Sequence, residues 1–140
     1  GYFQLGNAEI MLNNYKSALI AFKTSSRINS NFWQSINNEG LVLYELNNIK
    51  EAILKFKSAL KISNDAEPML ALAIALFSSD KKSIESLSLA KKALKSNPEY
   101  ISEEYQAKQL WGKKLQKSAK LLFKTKEMKN IVREAKEKSQ

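Results

Sequence analysis

The side chains that usually carry chemistry are scarce in this sequence, and those present are poorly spaced for it. The chain has no His and no Cys. That removes thiolate nucleophiles, His-based triads, the usual zinc ligands and the one side chain that titrates near neutral pH without help. It also leaves the redox compartment open. Carboxylates remain, but Glu103 and Glu104 are adjacent and diverge on a helix, while Glu127, Glu134 and Glu137 sit among lysines. Surface ion pairing accounts for them, and Glu134 with Lys138 has a favourable four-residue spacing. The reading is therefore a non-enzymatic protein with no catalytic, metal-binding or cofactor-binding residue and no cofactor.

What is left are amides, aromatics and lysines. The formal charge is +9 and is unevenly placed. Residues 1–107 carry 12 Lys or Arg against 11 Asp or Glu, whereas residues 108–140 carry 11 against 3. Within this basic end, Lys113, Lys117, Lys120 and Lys124 fall on one helical face, opposite Leu110, Trp111, Leu115, Ala119 and Leu122. The longest apolar run, residues 69–77, is nine residues, well short of the roughly 20 a membrane helix needs.

The elements that would position these residues follow from a repeat. Leu12-Asn13-Asn14, Lys16, Ala18 and Phe22-Lys23 return as Leu46-Asn47-Asn48, Lys50, Ala52 and Phe56-Lys57, 34 residues later. Gly6 returns as Gly40 and Ile28 as Ile62. A period near 34 with small residues and one aromatic at fixed offsets is the mark of stacked helix-turn-helix units. Residues 2–12 and 15–28 read as the first pair, with Asn13-Asn14 as the turn. Gly6 is expected to face Ala18, and Gly40 to face Ala52, where the helices come closest, with Phe22 and Phe56 filling the wedge beside them. A looser third unit places one helix over residues 69–77, a turn at Ser78-Ser79-Asp80 and a partner helix over residues 81–95, stopped by Asn97-Pro98. There Ile74, Ser86 and Ala90 replace the small residue, the Ala and the aromatic. One amphipathic helix over residues 101–123 and a last helix over 126–136, begun by Thr125, complete the chain.

These motifs resemble the tetratricopeptide repeat. Tyr2, Leu5-Gly6, Tyr15, Ala18, Phe22, Ser25 and Ser30 fit its pattern, as do Ile36, Glu39-Gly40, Ile49, Ala52, Phe56, Ala59 and Asn64. Glu39 in place of Leu, and no Pro after either second helix, are departures. The resemblance implies an all-α right-handed superhelix, one elongated domain with repeats over residues 1–32, 33–66 and, degenerate, 67–100. A capping helix over 101–124 and a short basic helix and tail over 125–140 follow. Gln109-Leu110-Trp111-Gly112 and the lysine-rich helix behind it are similar to the ends of small repeat proteins of cyanobacteria and plastids, some of which assist photosystem assembly. Abundant Lys, Asn and Ile with little Arg points the same way, to an AT-rich bacterial or plastid-like source.

The resemblance also implies where a partner lies: along the concave wall formed by the first helix of each unit. Carried over residue by residue, the groove positions are Phe3, Asn7, Ile10 and Met11, then Gln34, Asn37, Asn38, Leu41 and Tyr44, and in the third unit Leu72 with Ala71 and Ala75. Such a neutral, amide-rich and partly aromatic wall suits a neutral or amphipathic segment or helix of another protein. Asn7 and Asn38 match the clamp that grips acidic chaperone tails. Phe3, Pro68 and Leu72 occupy its cationic positions, so that activity is disfavoured. The competing reading is that the chain itself, or a neighbouring subunit, covers the groove. For the basic end the readings are a solvated face, attraction to an acidic protein or anionic lipid surface, and nucleic acid. The last is disfavoured because only Arg27 and Arg133 are Arg. The expected location is the cytoplasm, with peripheral membrane association as the alternative. Gly1-Tyr2 reads as the middle of a helix, so any upstream anchor lies outside the sequence, and neither the oligomeric state nor the partner's identity is legible.

Overall fold

A computed structural model describes all of residues 1–140. The chain is all-helical, with no strand. It divides into two compact units, Gly1–Asn64 and Asp65–Gln140.

In the first unit, α1 (Tyr2–Met11), α2 (Tyr15–Ile28), α3 (Trp33–Glu45) and α4 (Ile49–Ile62) pack as consecutive neighbours, α1 on α2, α2 on α3 and α3 on α4. The repeated Leu-Asn-Asn makes both turns. Asn13 and Asn47 adopt left-handed backbone, φ 61° and 66°, which Asn tolerates better than most residues with a Cβ. The amides of the next residues, Asn14 and Asn48, then donate to the carbonyls of Glu9 and Leu43, both at 2.8 Å, closing the helix ends as C-terminal caps. Asn47→Gly is therefore expected to leave stability unchanged or raise it by up to ~1 kcal/mol, and Asn47→Val to lower it by ~1–2 kcal/mol. Urea denaturation of the two variants checks this, and equal effects would remove the strain account.

Each pair is held by a glycine against a phenylalanine. A Cβ added at Gly6 would meet the Phe22 ring at 2.5 Å, and one at Gly40 the Phe56 ring at 2.5 Å. The nearest neighbour of each glycine is thus the ring and not the expected Ala18 or Ala52, although both alanines and both rings are fully buried. The ring edge occupies the space a side chain would take, which lets the helix axes approach. Phe3 and Phe32 continue this aromatic cluster, with ring centroids 5.9 Å (Phe3 to Phe22) and 4.8 Å (Phe3 to Phe32) apart.

Helix α3 departs from amphipathic design. Its residues from Ser35 to Tyr44 are all buried, including four polar ones, and most of their polar atoms are partnered. Ser35 Oγ donates to the Phe22 carbonyl at 3.0 Å. Glu39, 1% exposed, accepts from Ser26 Oγ at 2.9 Å and pairs with Lys55 Nζ at 3.4 Å. Glu39, where the resemblance leads one to expect Leu, thus joins α3 to α2 and α4.

In the second unit α5 (Ala66–Ser79) packs against α6 (Ile84–Ser96). Both expected boundaries move: α5 runs through Ser78 and Ser79, and the turn falls at residues 80–83, because Ser83 caps α6 by accepting the Ser86 amide at 3.1 Å. Ile74 and Ala90 are fully buried at the positions equivalent to Gly40 and Phe56, so bulk has moved from the second helix to the first. Ser86, standing where Ala18 and Ala52 stand, buries its hydroxyl by donating to the Ala73 carbonyl at 2.6 Å.

The single helix expected over residues 101–123 is broken. A 3-10 turn (Pro98–Ile101) leads to a short α7 (Glu103–Lys108) and then to α8 (Lys113–Phe123). The cause is Trp111. Leu110 takes left-handed backbone, φ 68°, and the amides of Leu110 and Trp111 turn back to the carbonyls of Ala107 and Gln106 at 2.9 and 3.0 Å. That break drops the indole into the unit, where it stacks on Tyr100 at 5.4 Å and donates from Nε1 to Glu67 Oε2 at 3.1 Å. Helix α8 then lies on α5, with Leu115, Ala119 and Leu122 fully buried. After a second 3-10 turn (Lys126–Met128), α9 (Lys129–Lys138) packs against α6 and the first 3-10 turn. Thr125 Oγ1 donates to the Leu122 carbonyl at 2.8 Å and so finishes α8 rather than capping the last helix.

The Tyr100 phenol is held protonated well above its ordinary range, first by burial and then by the Glu67 carboxylate to which it is hydrogen-bonded. Tyr15 is raised in the same direction by burial and then by Glu45. Unfolded tyrosine ionises near pH 10. Above that pH the unfolded chain releases a proton that the folded one keeps, so stability falls as pH rises, by up to ~1.4 kcal/mol per pH unit for the buried Tyr100 phenol. Denaturation at pH 9 and pH 11 is expected to show this loss, and Tyr100→Phe to make it shallower. An unchanged slope in that variant would place the loss elsewhere.

Candidate functional site

The expected groove residues fall into two classes. Ile10, Asn37, Asn38, Leu41, Tyr44 and Leu72 are buried, Tyr44 to 3% exposure, and serve here as core. This corrects their reading as an open wall. Apolar content on every face of α5 is the reason in the third pair: its buried residues include Ala71, Leu72 and Ala75, and α8 folds back onto that helix. Phe3 and Asn7 are half-buried, while Met11, 73% exposed, and Gln34 are open to solvent.

Between these classes runs a chain of amides within the first unit. Asn37 Nδ2 donates to Asn38 Oδ1 at 3.3 Å, and Asn38 Nδ2 donates to Asn7 Oδ1 at 3.0 Å. Asn37 Oδ1 is buried without a partner. The resemblance puts Asn7, Met11 and Gln34 on the first helices of successive pairs, but the relay itself depends on Asn7 of α1 reaching Asn38 of α3. Asn7 Nδ2 stays available at the half-exposed end. The strip therefore offers a hydrogen-bond donor next to the thioether of Met11 and the ring of Phe3, a surface for peptide amides and apolar side chains.

On α8 and at its C-terminal cap, Lys113, Lys117, Lys120 and Lys124 are all exposed, as a solvent-facing stripe opposite the buried Leu115, Ala119 and Leu122. Only Lys120 has an acidic neighbour, Glu103 at 3.8 Å, and both are more than half exposed, so the pair contributes little. The expected ion pair of Glu134 with Lys138 does not form: both are exposed, and no carboxylate lies within 4.0 Å of Lys138. Holding two long side chains in one geometry offsets the weak attraction in water. No helix is long and apolar enough to cross a membrane.

Periodicity alone did not reveal three further residues. Phe32 packs on Phe3, Glu67 receives both the indole of Trp111 and the phenol of Tyr100, and Gln106 is buried with its Nε2 donating to the Tyr100 carbonyl at 2.8 Å. The sequence signal for the last was slight: an amide between Glu104 and Lys108 on a short helix with three charged residues. Comparison with known proteins adds no relative, since no family model and no curated protein matches the chain.

Proposed function

We propose that this chain is a non-enzymatic protein-binding scaffold or assembly factor of the tetratricopeptide kind, built as a right-handed superhelix of helix pairs, the third degenerate. It holds a neutral or amphipathic segment of another protein along α1 and the exposed start of α3. The observation that carries this reading is the open strip of Phe3, Asn7, Met11 and Gln34 beside an amide relay that ends in an unpaired Asn37 Oδ1. Amides recognise a peptide backbone in either polarity, and Met11 adapts to varied apolar side chains. Site-specific photocrosslinkers at Met11 and Gln34, with one at exposed Ile20 as control, test it in native extract. A single protein joined at Met11 or Gln34, absent at Ile20 and lost on Asn7→Ala, is the expected result. Equal labelling at all three positions would sink the groove reading.

A second reading rests on the exposed lysine stripe of α8, which suits an adaptor for an anionic surface, a membrane more than nucleic acid. Co-sedimentation with phosphatidylserine vesicles, weakened by salt and abolished by Lys113→Gln with Lys117→Gln, would favour it. Salt-insensitive partner capture favours the strip on α1 and α3.

A further inference from the structure

The second unit carries a cleft that shares only Lys120 and Lys124 with the lysine stripe. Two contiguous cavities, of about 420 and 220 Å³, lie where the end of α8 meets α9 and the segment before α7. They share Phe123, Lys124, Val132 and Lys136. From this cleft we infer a binding site for a nucleoside phosphate, with the phosphates in the larger cavity and the base in the smaller.

Charge comes first. Six cations line the two cavities, Lys120, Lys124, Lys126, Lys129, Arg133 and Lys136, against the carboxylates of Glu103 and Glu137. Lys120 is engaged with Glu103, but none of the other five has a carboxylate within 4.0 Å. The sequence intersperses acids in this region, yet Glu127 and Glu134 do not line the cleft, so the fold sorts the charges. Like charges gathered in one concavity repel each other and raise the local concentration of anions. A solvated lysine face needs no such concavity, and Lys113 and Lys117, which are exposed but line neither cavity, show what one looks like here. Arg133, one of only two arginines in the chain, adds the planar fork that matches phosphate oxygens.

The rest of the ligand follows from what is not charged. Phe123 and Val132 stand at the junction of the cavities, and Ile101 joins them in the smaller one, an apolar lining suited to a flat ring. Gln106 also lines the smaller cavity, and its Oε1 is buried without a hydrogen-bond partner while its Nε2 is committed to Tyr100. A buried acceptor left unpaired is unfavourable, and only a donor completes it. The exocyclic amino group of adenine is such a donor. An inorganic phosphate supplies no apolar group, and an acyl chain supplies no donor.

The test is titration of the intact chain with ADP, inorganic pyrophosphate and phosphatidylserine vesicles in parallel. ADP is expected to bind, and pyrophosphate at least tenfold more weakly. Lys129→Gln with Arg133→Gln, both exposed and so compatible with folding, is expected to lower ADP affinity at least tenfold. Lys113→Gln with Lys117→Gln should change it less than twofold. Val132→Phe, which fills the junction without altering charge, should remove ADP binding and spare pyrophosphate. Failure of ADP to bind, pyrophosphate binding as tightly as ADP, vesicle binding without ADP binding, or equal losses in the two double variants would each overturn the inference. A fall in pyrophosphate affinity alongside ADP in Val132→Phe would overturn the division of the cleft into phosphate and base halves.

Discussion

Gly40→Ile is expected to destabilise the first unit severely, and Phe56→Ala to do so as well, yet the two together should be milder than either sum predicts. The space for a Cβ at Gly40 is already taken by the Phe56 ring at 2.5 Å, and that ring is fully buried. Overpacking of this kind costs ~1–3 kcal/mol or more, because neither helix can yield without opening the pair. Truncating the ring alone leaves a cavity and costs ~3–5 kcal/mol. The chain itself contains the swapped solution: Ile74 and Ala90 occupy the equivalent positions of the third pair, both fully buried. A double-mutant cycle by urea denaturation should therefore show a favourable coupling of ~1–3 kcal/mol. Additive losses would mean that the two pairs, despite the shared period, are packed by different rules.

Lys55→Met should prove nearly as damaging, and for an electrostatic reason. Glu39 is 1% exposed, and its carboxylate is held by the Lys55 ammonium and the Ser26 hydroxyl. With the ammonium gone, a buried charge keeps a single neutral donor, a loss of ~3 kcal/mol. Adding Glu39→Leu to Lys55→Met replaces the pair by apolar groups of similar length and should restore most of the stability. Thermal melts of the single and double variants decide it. Undiminished stability in Lys55→Met would show that the ammonium, whose side chain is 36% exposed, contributes no more than a surface pair.

These two sites show how much was legible beforehand. The Gly and Phe positions were visible because a repeat writes the same local contact twice, 34 residues apart, and periodicity needs no tertiary knowledge. Helix α2 was readable to its ends, Tyr15–Ile28, since Asn pairs and turn residues bracket its apolar stripe. Glu39 was legible only as an oddity. Its partners lie 13 positions earlier, at Ser26, and 16 later, at Lys55, and nothing in either neighbourhood announces the pairing.

The candidate site fared less evenly. Phe3, Asn7, Met11 and Gln34 remain accessible where the resemblance put them, but Asn37, Asn38, Leu41 and Tyr44 do not, because α3 is buried from Ser35 to Tyr44. A sequence of mixed polar and apolar residues looks like a half-open helix. It can equally be a buried one whose polar groups bond to each other, and only the neighbours decide.

By itself the sequence determined the helical content, the repeated Gly and Phe positions and the left-handed Asn turns, since each depends on residues a few turns of helix apart. Tertiary structure decided where the last helix breaks and which faces close. Leu110 enters left-handed backbone because Trp111 gains Tyr100 and Glu67, contacts 11 and 44 positions away. It also decided which charges gather around the cleft beside α9 and which disperse. Burial and electrostatic sorting depend on what arrives from elsewhere in the chain, and a local pattern carries no record of that.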